Sequence, residues 1–250
     1  KKLIRKKIYY TGPYARWEEA KVNSTGYNSN EIFEKVRKSA LYVKNHKKGY
    51  ERDSIISYDD DYDNFLIKIL DIYSKQKNKT LKILDFGGSL GSLYFYYKDK
   101  IKNKFNWSII EQKKFVKEGR RTFQNSELNF FNSIEEYKKT FSPDIIIASS
   151  SLQYLENYKD ILNKIFNLNP DYIFILKTPF DNKMFDEIYV QKPPKNVYNS
   201  TYPSWIFSYE TFLINFRDKF VLEEKKIVKP EFFQLKYLNL YFRNRKIKNV

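Results

Sequence analysis

Leu81-Lys82-Ile83-Leu84-Asp85-Phe86-Gly87-Gly88-Ser89-Leu90-Gly91 is an apolar run that ends in an acid and passes straight into a glycine-rich turn. Glycine lets the backbone approach a ligand closely and adopt torsions closed to other residues. A helix beginning near Ser89 would then point unpaired N–H groups and its positive dipole end at a bound carboxylate or phosphate. A dinucleotide fingerprint spaces its glycines as G-x-G-x-x-G. Gly87 and Gly91 after Asp85 follow D-x-G-x-x-x-G instead. Strand-to-helix turns also use glycine simply for packing, so the flanking sequence has to decide between a ligand and a tight corner.

Downstream of this turn, short apolar runs alternate with amphipathic stretches, the pattern of repeated βα units and a parallel sheet. The strands predicted are 81–86, 106–112, 128–132, 144–150 and 172–178. Helices are expected from about Ser89, over 113–123, from Ser133 and over 157–168. After Pro203, a Ser208 cap opens an amphipathic helix, and two alternating segments, 221–228 and 233–242, close the chain. The expected fold is α/β: a Rossmann-like sheet of five parallel strands with a C-terminal antiparallel pair, an ending that a plain nucleotide-binding sheet does not usually have. Residues 1–78, rich in Lys, Tyr and Asn with helical stretches at 17–22 and 30–43, are expected to form a helical cap and substrate lobe. The core would occupy 79–250, with an aromatic, proline-punctuated insertion at 181–207 building an acceptor pocket. No internal repeat or low-complexity linker interrupts this plan.

Composition narrows the chemistry. In 250 residues there is no cysteine and one histidine, which excludes disulfides, thiolate sites and multi-histidine metal centres. No metal is expected. A net charge of +16 points either to an anionic partner or to a coding bias that inflates lysine without a binding role. No secretory or membrane-spanning segment is recognisable, and the expectation is a cytoplasmic protein for which peripheral membrane contact stays open.

The D-x-G-x-x-x-G spacing is that found around the methionine part of S-adenosylmethionine. This makes Asp85, Gly87, Gly88, Ser89 and Gly91 candidate cofactor residues, with S-adenosylhomocysteine as product. Glu111 ends the second strand, where an acid can accept hydrogen bonds from both ribose hydroxyls. Asn132 and Ser133, ending the third strand, are candidates for the adenine amino edge; equally, Ser133 with Glu136 is a capping box. Ser150, Gln153 and Tyr154 follow the fourth strand, beside the expected position of the transferable methyl.

Several strings, GPYARWEEA, STGY, YERDS, LDFGGSLGSLYF, WSIIEQKKFVKEG, SSSLQYL, TPF and YPSWIFS, resemble a family of class I methyltransferases encoded among bacterial cell-surface polysaccharide genes. The resemblance runs from about Gly12 to Phe207. Its most distinctive parts are the Ser-Leu-Gly ending of the turn and the Glu111-Gln112 pair. One departure is the Leu176-Lys177 that precedes Thr178-Pro179-Phe180 where the family carries Asp-Arg. The resemblance implies methyl transfer to a hexose or heptose hydroxyl in capsule or lipopolysaccharide biosynthesis, with the sugar either a small molecule, such as a nucleotide-activated sugar, or linked to the polysaccharide.

For an alcohol acceptor, a base within hydrogen-bond reach would help. His46 has the right intrinsic pKa, and Asp53 in the Glu51-Arg52-Asp53 cluster is a second candidate, although a lysine-flanked loop and a structural ion-pair network explain these residues as well. Tyr154 is the third catalytic candidate. Arg52 and Arg16 could hold an anionic part of the substrate, while Trp17, Tyr202 and Trp205 offer flat faces for a sugar ring if they are not core aromatics. Two other functions stay open. An RNA methyltransferase would suit the charge, but no RNA module or concentrated basic stretch makes nucleic acid an expected partner. A non-catalytic Rossmann-like partner subunit would keep the pocket without turnover.

Overall fold

The computed structural model describes residues 9–26, 30–46, 50–52, 54–57, 66–71, 80–101, 104–194, 199–232 and 235–247. Asp53, a catalytic candidate, lies outside the described residues, as does the side chain of Arg52.

The five runs predicted as parallel strands are β4 (Leu81–Phe86), β5 (Phe105–Ile110), β6 (Leu128–Phe131), β7 (Ile145–Ser149) and β8 (Tyr172–Asp181). They pair in parallel in the order β6-β5-β4-β7-β8. Their near-continuous apolar character follows from burial on both faces. Ile83, Ile109, Ile145 and Ile147 point into one core, and Leu84, Ile110, Ile146 and Ala148 into the other, as the period of two requires. The closing pair is as expected in type and longer than expected: β11 (Phe220–Phe232) pairs antiparallel with β12 (Leu235–Asn244), which pairs antiparallel with β8.

Helices cover both faces. On one side lie α2 (Asn30–His46), α3 (Ser92–Tyr97) and α4 (Lys113–Glu118), and α4 runs on into a π turn at Gly119–Phe123. On the other lie α5 (Ile134–Tyr137), α6 (Tyr158–Asn167) and α7 (Tyr209–Ile214). In α6, Tyr158, Leu162, Ile165 and Phe166 are buried at helical spacing, which fixes the face turned to the sheet. Ser208 caps α7 by accepting from the Thr211 N–H. The first βα turn does not enter its helix at Ser89; α3 starts three residues later.

Gly119 opens the π turn directly over Phe130, and a Cβ there would lie 2.4 Å from that buried ring. Gly119→Ala is therefore expected to destabilise the fold by about 1–3 kcal/mol through overpacking. The check is the urea midpoint, which should fall without a change in slope.

The N-terminal region is not purely helical. Besides α1 (Trp17–Val22) and α2, it supplies β1 (Tyr9–Tyr14) and a small hairpin of β2 (Tyr50–Arg52) with β3 (Ile55–Ser57). The insertion is also strand-forming: β9 (Glu187–Lys192) pairs antiparallel with β10 (Tyr202–Ser208), and β1 pairs antiparallel with β9. β10 joins β8 only at Phe207–Phe180 and Ser208–Asp181. The strands β1, β9 and β10 thus form an accessory sheet beyond the carboxyl end of β7. The alternation in Glu187-Ile188-Tyr189-Val190-Gln191 was a readable strand signal within the insertion.

Candidate functional site

Chain order reverses between β4 and β7, and in open α/β sheets the crevice at the carboxyl ends of strands flanking such a switch is where ligands bind. The glycine turn occupies that place. Gly87 donates to the Ile110 carbonyl at 2.9 Å and Gly91 to the Gly88 carbonyl at 3.0 Å. Gly87, Ser89 and Gly91 all have left-handed torsions, with φ of 76°, 56° and 98°. A Cβ on Gly87 would lie 2.5 Å from the Ser151 Cβ, and one on Gly88 would lie 2.5 Å from the Asp85 carboxyl carbon. Both glycines are required by close approach.

Asp85 is fully buried beneath this turn. Its Oδ2 accepts from the Trp107 indole at 3.3 Å, while Oδ1 has no partner among the described residues. Burial pushes its pKa up to about 7, opposed by the Trp107 bond and assisted by the nearby Glu111 charge. The hydroxyl of Ser151 is likewise buried without a partner among the described residues. These two orphaned atoms against a glycine turn, a carboxylate oxygen that accepts and a hydroxyl that donates or accepts, mark a place that needs polar partners from a ligand.

Glu111 follows β5 and donates its own N–H to the Phe131 carbonyl. Its carboxylate accepts from the Gln112 N–H, and burial pushes its pKa up to about 7 as well. Gln112 stands at the N-cap of α4 with no side-chain capping bond. For Asn132 and Ser133 the capping alternative accounts for both side chains: Ser133 accepts from the Glu136 N–H, and Glu136 in turn accepts from the Asn132 backbone and amide. Ser150 donates to the Lys177 carbonyl at 2.9 Å and its N–H to Leu176. That hydroxyl ties β7 to β8, whereas its neighbour Ser151 faces the turn.

The catalytic and acceptor candidates separate. His46 is corrected as a base: its Nδ1 is bound to the Tyr42 carbonyl of its own helix and its ring stacks on Tyr42 at 4.0 Å, in solvent. It also lies at the wrong end. Phe33 of α2 touches Phe115 at the start of α4, near the carboxyl edge, whereas Lys44 reaches the Thr122 carbonyl at the far end. With about 1.5 Å of rise per residue, His46 is about 20 Å further along α2 than Phe33. Glu51 is buried and accepts from the Ser92 hydroxyl and the Ser54 N–H, beside the turn rather than exposed to substrate. Arg16 is exposed and paired with Glu19.

Trp17 and Trp205 do not offer open platforms. They stack on each other at 5.6 Å, and the Trp205 indole donates to the Leu155 carbonyl at 2.9 Å. Tyr154 and Tyr202 do come together, edge-on at 5.2 Å, and Tyr154 donates to the Gln191 side-chain oxygen at 3.1 Å. Gln153 beside them is buried, and its Oε1 has no partner among the described residues. Tyr10, Gln191, Tyr237 and Ser151 complete the neighbourhood and were not singled out from sequence. Of these, Ser151 carried a signal in the Ser-Ser-Ser run that begins at the last residue of β7, and Gln191 one in the alternation of β9.

Among the described residues, no helix is long and apolar enough to cross a membrane, and no group of three or more His, Cys, Asp or Glu could hold a metal.

No family model matches the chain, and no curated protein does. Solved structures match. The N-terminal domain of EvdMO1, crystallised in the presence of S-adenosylhomocysteine and D-fucose, is 11% identical with a TM-score of 0.53, over 87% of this chain and 97% of that one. LepI in complex with S-adenosylmethionine is 8% identical with a TM-score of 0.52, over 86% of this chain and 55% of that one. The 1,6-didemethyltoxoflavin-N1-methyltransferase of Burkholderia thailandensis is 13% identical with a TM-score of 0.49, over 97% of each chain. At such identities a likeness carries the fold alone. The chain has the Rossmann-like fold of the class I S-adenosylmethionine-dependent methyltransferases, five parallel strands closed by an antiparallel pair.

Proposed function

We propose that the chain is an S-adenosylmethionine-dependent methyltransferase that O-methylates a sugar hydroxyl. The observation that carries the cofactor is the pair of orphaned buried atoms, Asp85 Oδ1 and Ser151 Oγ, against a glycine turn at the switch point. Asp85 and Ser151 would take the cofactor's methionine end, held against the turn because Gly88 and Gly87 carry no Cβ to push them away. Glu111, ending the neighbouring strand, would accept from the ribose hydroxyls. When bound, the cofactor supplies an electrophilic methyl group for in-line displacement by the acceptor oxygen. What the chain itself contributes is orientation and exclusion of water, which account for much of the rate in such a displacement.

The sugar acceptor is supported by the resemblance to methyltransferases of cell-surface polysaccharide genes, and by the D-fucose present with the EvdMO1 domain. On this reading the acceptor is a hexose or heptose of a capsule or lipopolysaccharide precursor in the cytoplasm.

Calorimetric titration with S-adenosylhomocysteine tests the cofactor site. Micromolar binding is expected, weakened about 10- to 100-fold in Glu111→Ala by loss of charge-assisted hydrogen bonds. A folded wild type that binds neither S-adenosylhomocysteine nor S-adenosylmethionine would overturn the reading.

A further inference from the structure

The accessory sheet has two unlike faces. On the outer one, Ile188 and Val190 pack with Trp17 and Ala20 of α1. On the inner one, the strand register sets Tyr10 of β1, Gln191 of β9 and Tyr202 of β10 side by side. Gln191, Tyr202 and Ser204 are buried, although apolar side chains would fill a closed sheet face at lower cost. Two further phenols reach this face. Tyr154, three residues after the Ser151 that stands against the glycine turn, binds Gln191, and the Tyr237 hydroxyl of β12 lies 2.5 Å from that of Tyr10. The buried Gln153 oxygen has no partner among the described residues.

We propose that this inner face, Tyr10, Gln191 and Tyr202 with Gln153, Tyr154 and Tyr237, is the acceptor site, and that it takes an uncharged ring bearing several hydroxyls. The inference rests on the methyltransferase reading and adds the residues and the charge of the acceptor. Phenols and carboxamides both donate and accept, as sugar hydroxyls do. None of the six side chains is a cation that could receive a carboxylate or phosphate. Burial, together with Tyr237, holds the Tyr10 hydroxyl well above the usual phenol range, so it stays neutral. A site of hydrogen-bonding groups discriminates strongly against rings that lack the matching hydroxyls, because its own groups are then left unpaired.

Saturation-transfer NMR on protein loaded with S-adenosylhomocysteine tests this, with methyl glycosides of neutral hexoses and 6-deoxyhexoses set beside the matching uronic acids and hexose phosphates. Neutral glycosides should receive saturation and the anionic ones should not. Tyr10→Phe, Tyr237→Phe and Gln191→Leu, on three different strands, should each weaken glycoside binding at least about fivefold. S-adenosylhomocysteine affinity should stay within about twofold of wild type in the two Phe variants, which keep the ring and report a folded site. Preference for an anionic sugar, or glycoside binding indifferent to the variants, overturns the proposal. Cofactor bound without any neutral glycoside overturns the acceptor site alone; neither bound overturns it together with the reading beneath it.

Discussion

Gly88→Ala is expected to weaken S-adenosylhomocysteine binding by at least about 100-fold, about 2.8 kcal/mol at roughly 1.4 kcal/mol per decade. The added Cβ would meet the Asp85 carboxyl carbon and Oδ2 at 2.5 Å and Oδ1 at 3.0 Å. Asp85 has nowhere to retreat, because it is fully buried and braced against Trp107. Either the turn lifts or the carboxyl group rotates, and both displace the atoms proposed to meet the cofactor. The clash also lowers stability, by about 1–3 kcal/mol for overpacking of this kind. Asp85→Ala in the Gly88→Ala background separates the two effects. Removing the carboxyl group should restore much of the thermal midpoint while leaving binding lost. Calorimetry and thermal unfolding on the wild type and the two variants check this, and Gly88→Ala binding within about threefold of wild type would place the cofactor elsewhere.

The parts of the fold legible in sequence are those whose signal is local. β4 to β8 are apolar runs bounded by turn residues, and burial on both faces makes such runs continuous. Asp85, Gly87 and Glu111 were legible because strand ends and turn spacing fix their places. The accessory sheet depends on distant pairing. Tyr9–Tyr14 becomes a strand only because β9 is there to receive it, so it could be taken for part of a helical cap. With 22 Tyr and 21 Phe in the chain, nothing local distinguishes Tyr10 or Tyr237 from core aromatics. His46 shows the converse: residue type suggested a base, and only the packing of α2 along α4 shows that it points away. Trp17 and Trp205 looked like ligand platforms separately, and their use is each other.

Between pH 5.5 and 8, the unliganded protein should lose stability while its affinity for S-adenosylhomocysteine rises. Asp85 and Glu111 have pKa values near 7 when folded, pushed up chiefly by burial, against ordinary carboxylate values near 4 when unfolded. From about pH 4 to 7 the folded state therefore holds more protons than the unfolded one, and stability falls as pH rises through that window. For Asp85 the step from pH 5.5 to 7 amounts to about 2 kcal/mol at roughly 1.36 kcal/mol per pH unit. The carboxylates with lowered pKa, Glu118, Glu135, Glu136 and Glu187, contribute stability above the unfolded value that is lost on acidification below it. At pH 5.5 and above they are ionised in both states, so they do not mask the trend. Binding runs the other way. Ribose hydroxyls donate to Glu111 best when it is ionised, so the dissociation constant should fall as pH rises toward 7, by up to about tenfold per unit for one proton released. Asp85→Asn should lessen the slope of the stability profile, leaving the part due to Glu111, and Glu111→Gln should flatten the binding profile. Thermal unfolding and calorimetry at several pH values in buffers of matched ionic strength check both slopes. Affinity unchanged across this range would mean that neither carboxyl group changes protonation on meeting the cofactor.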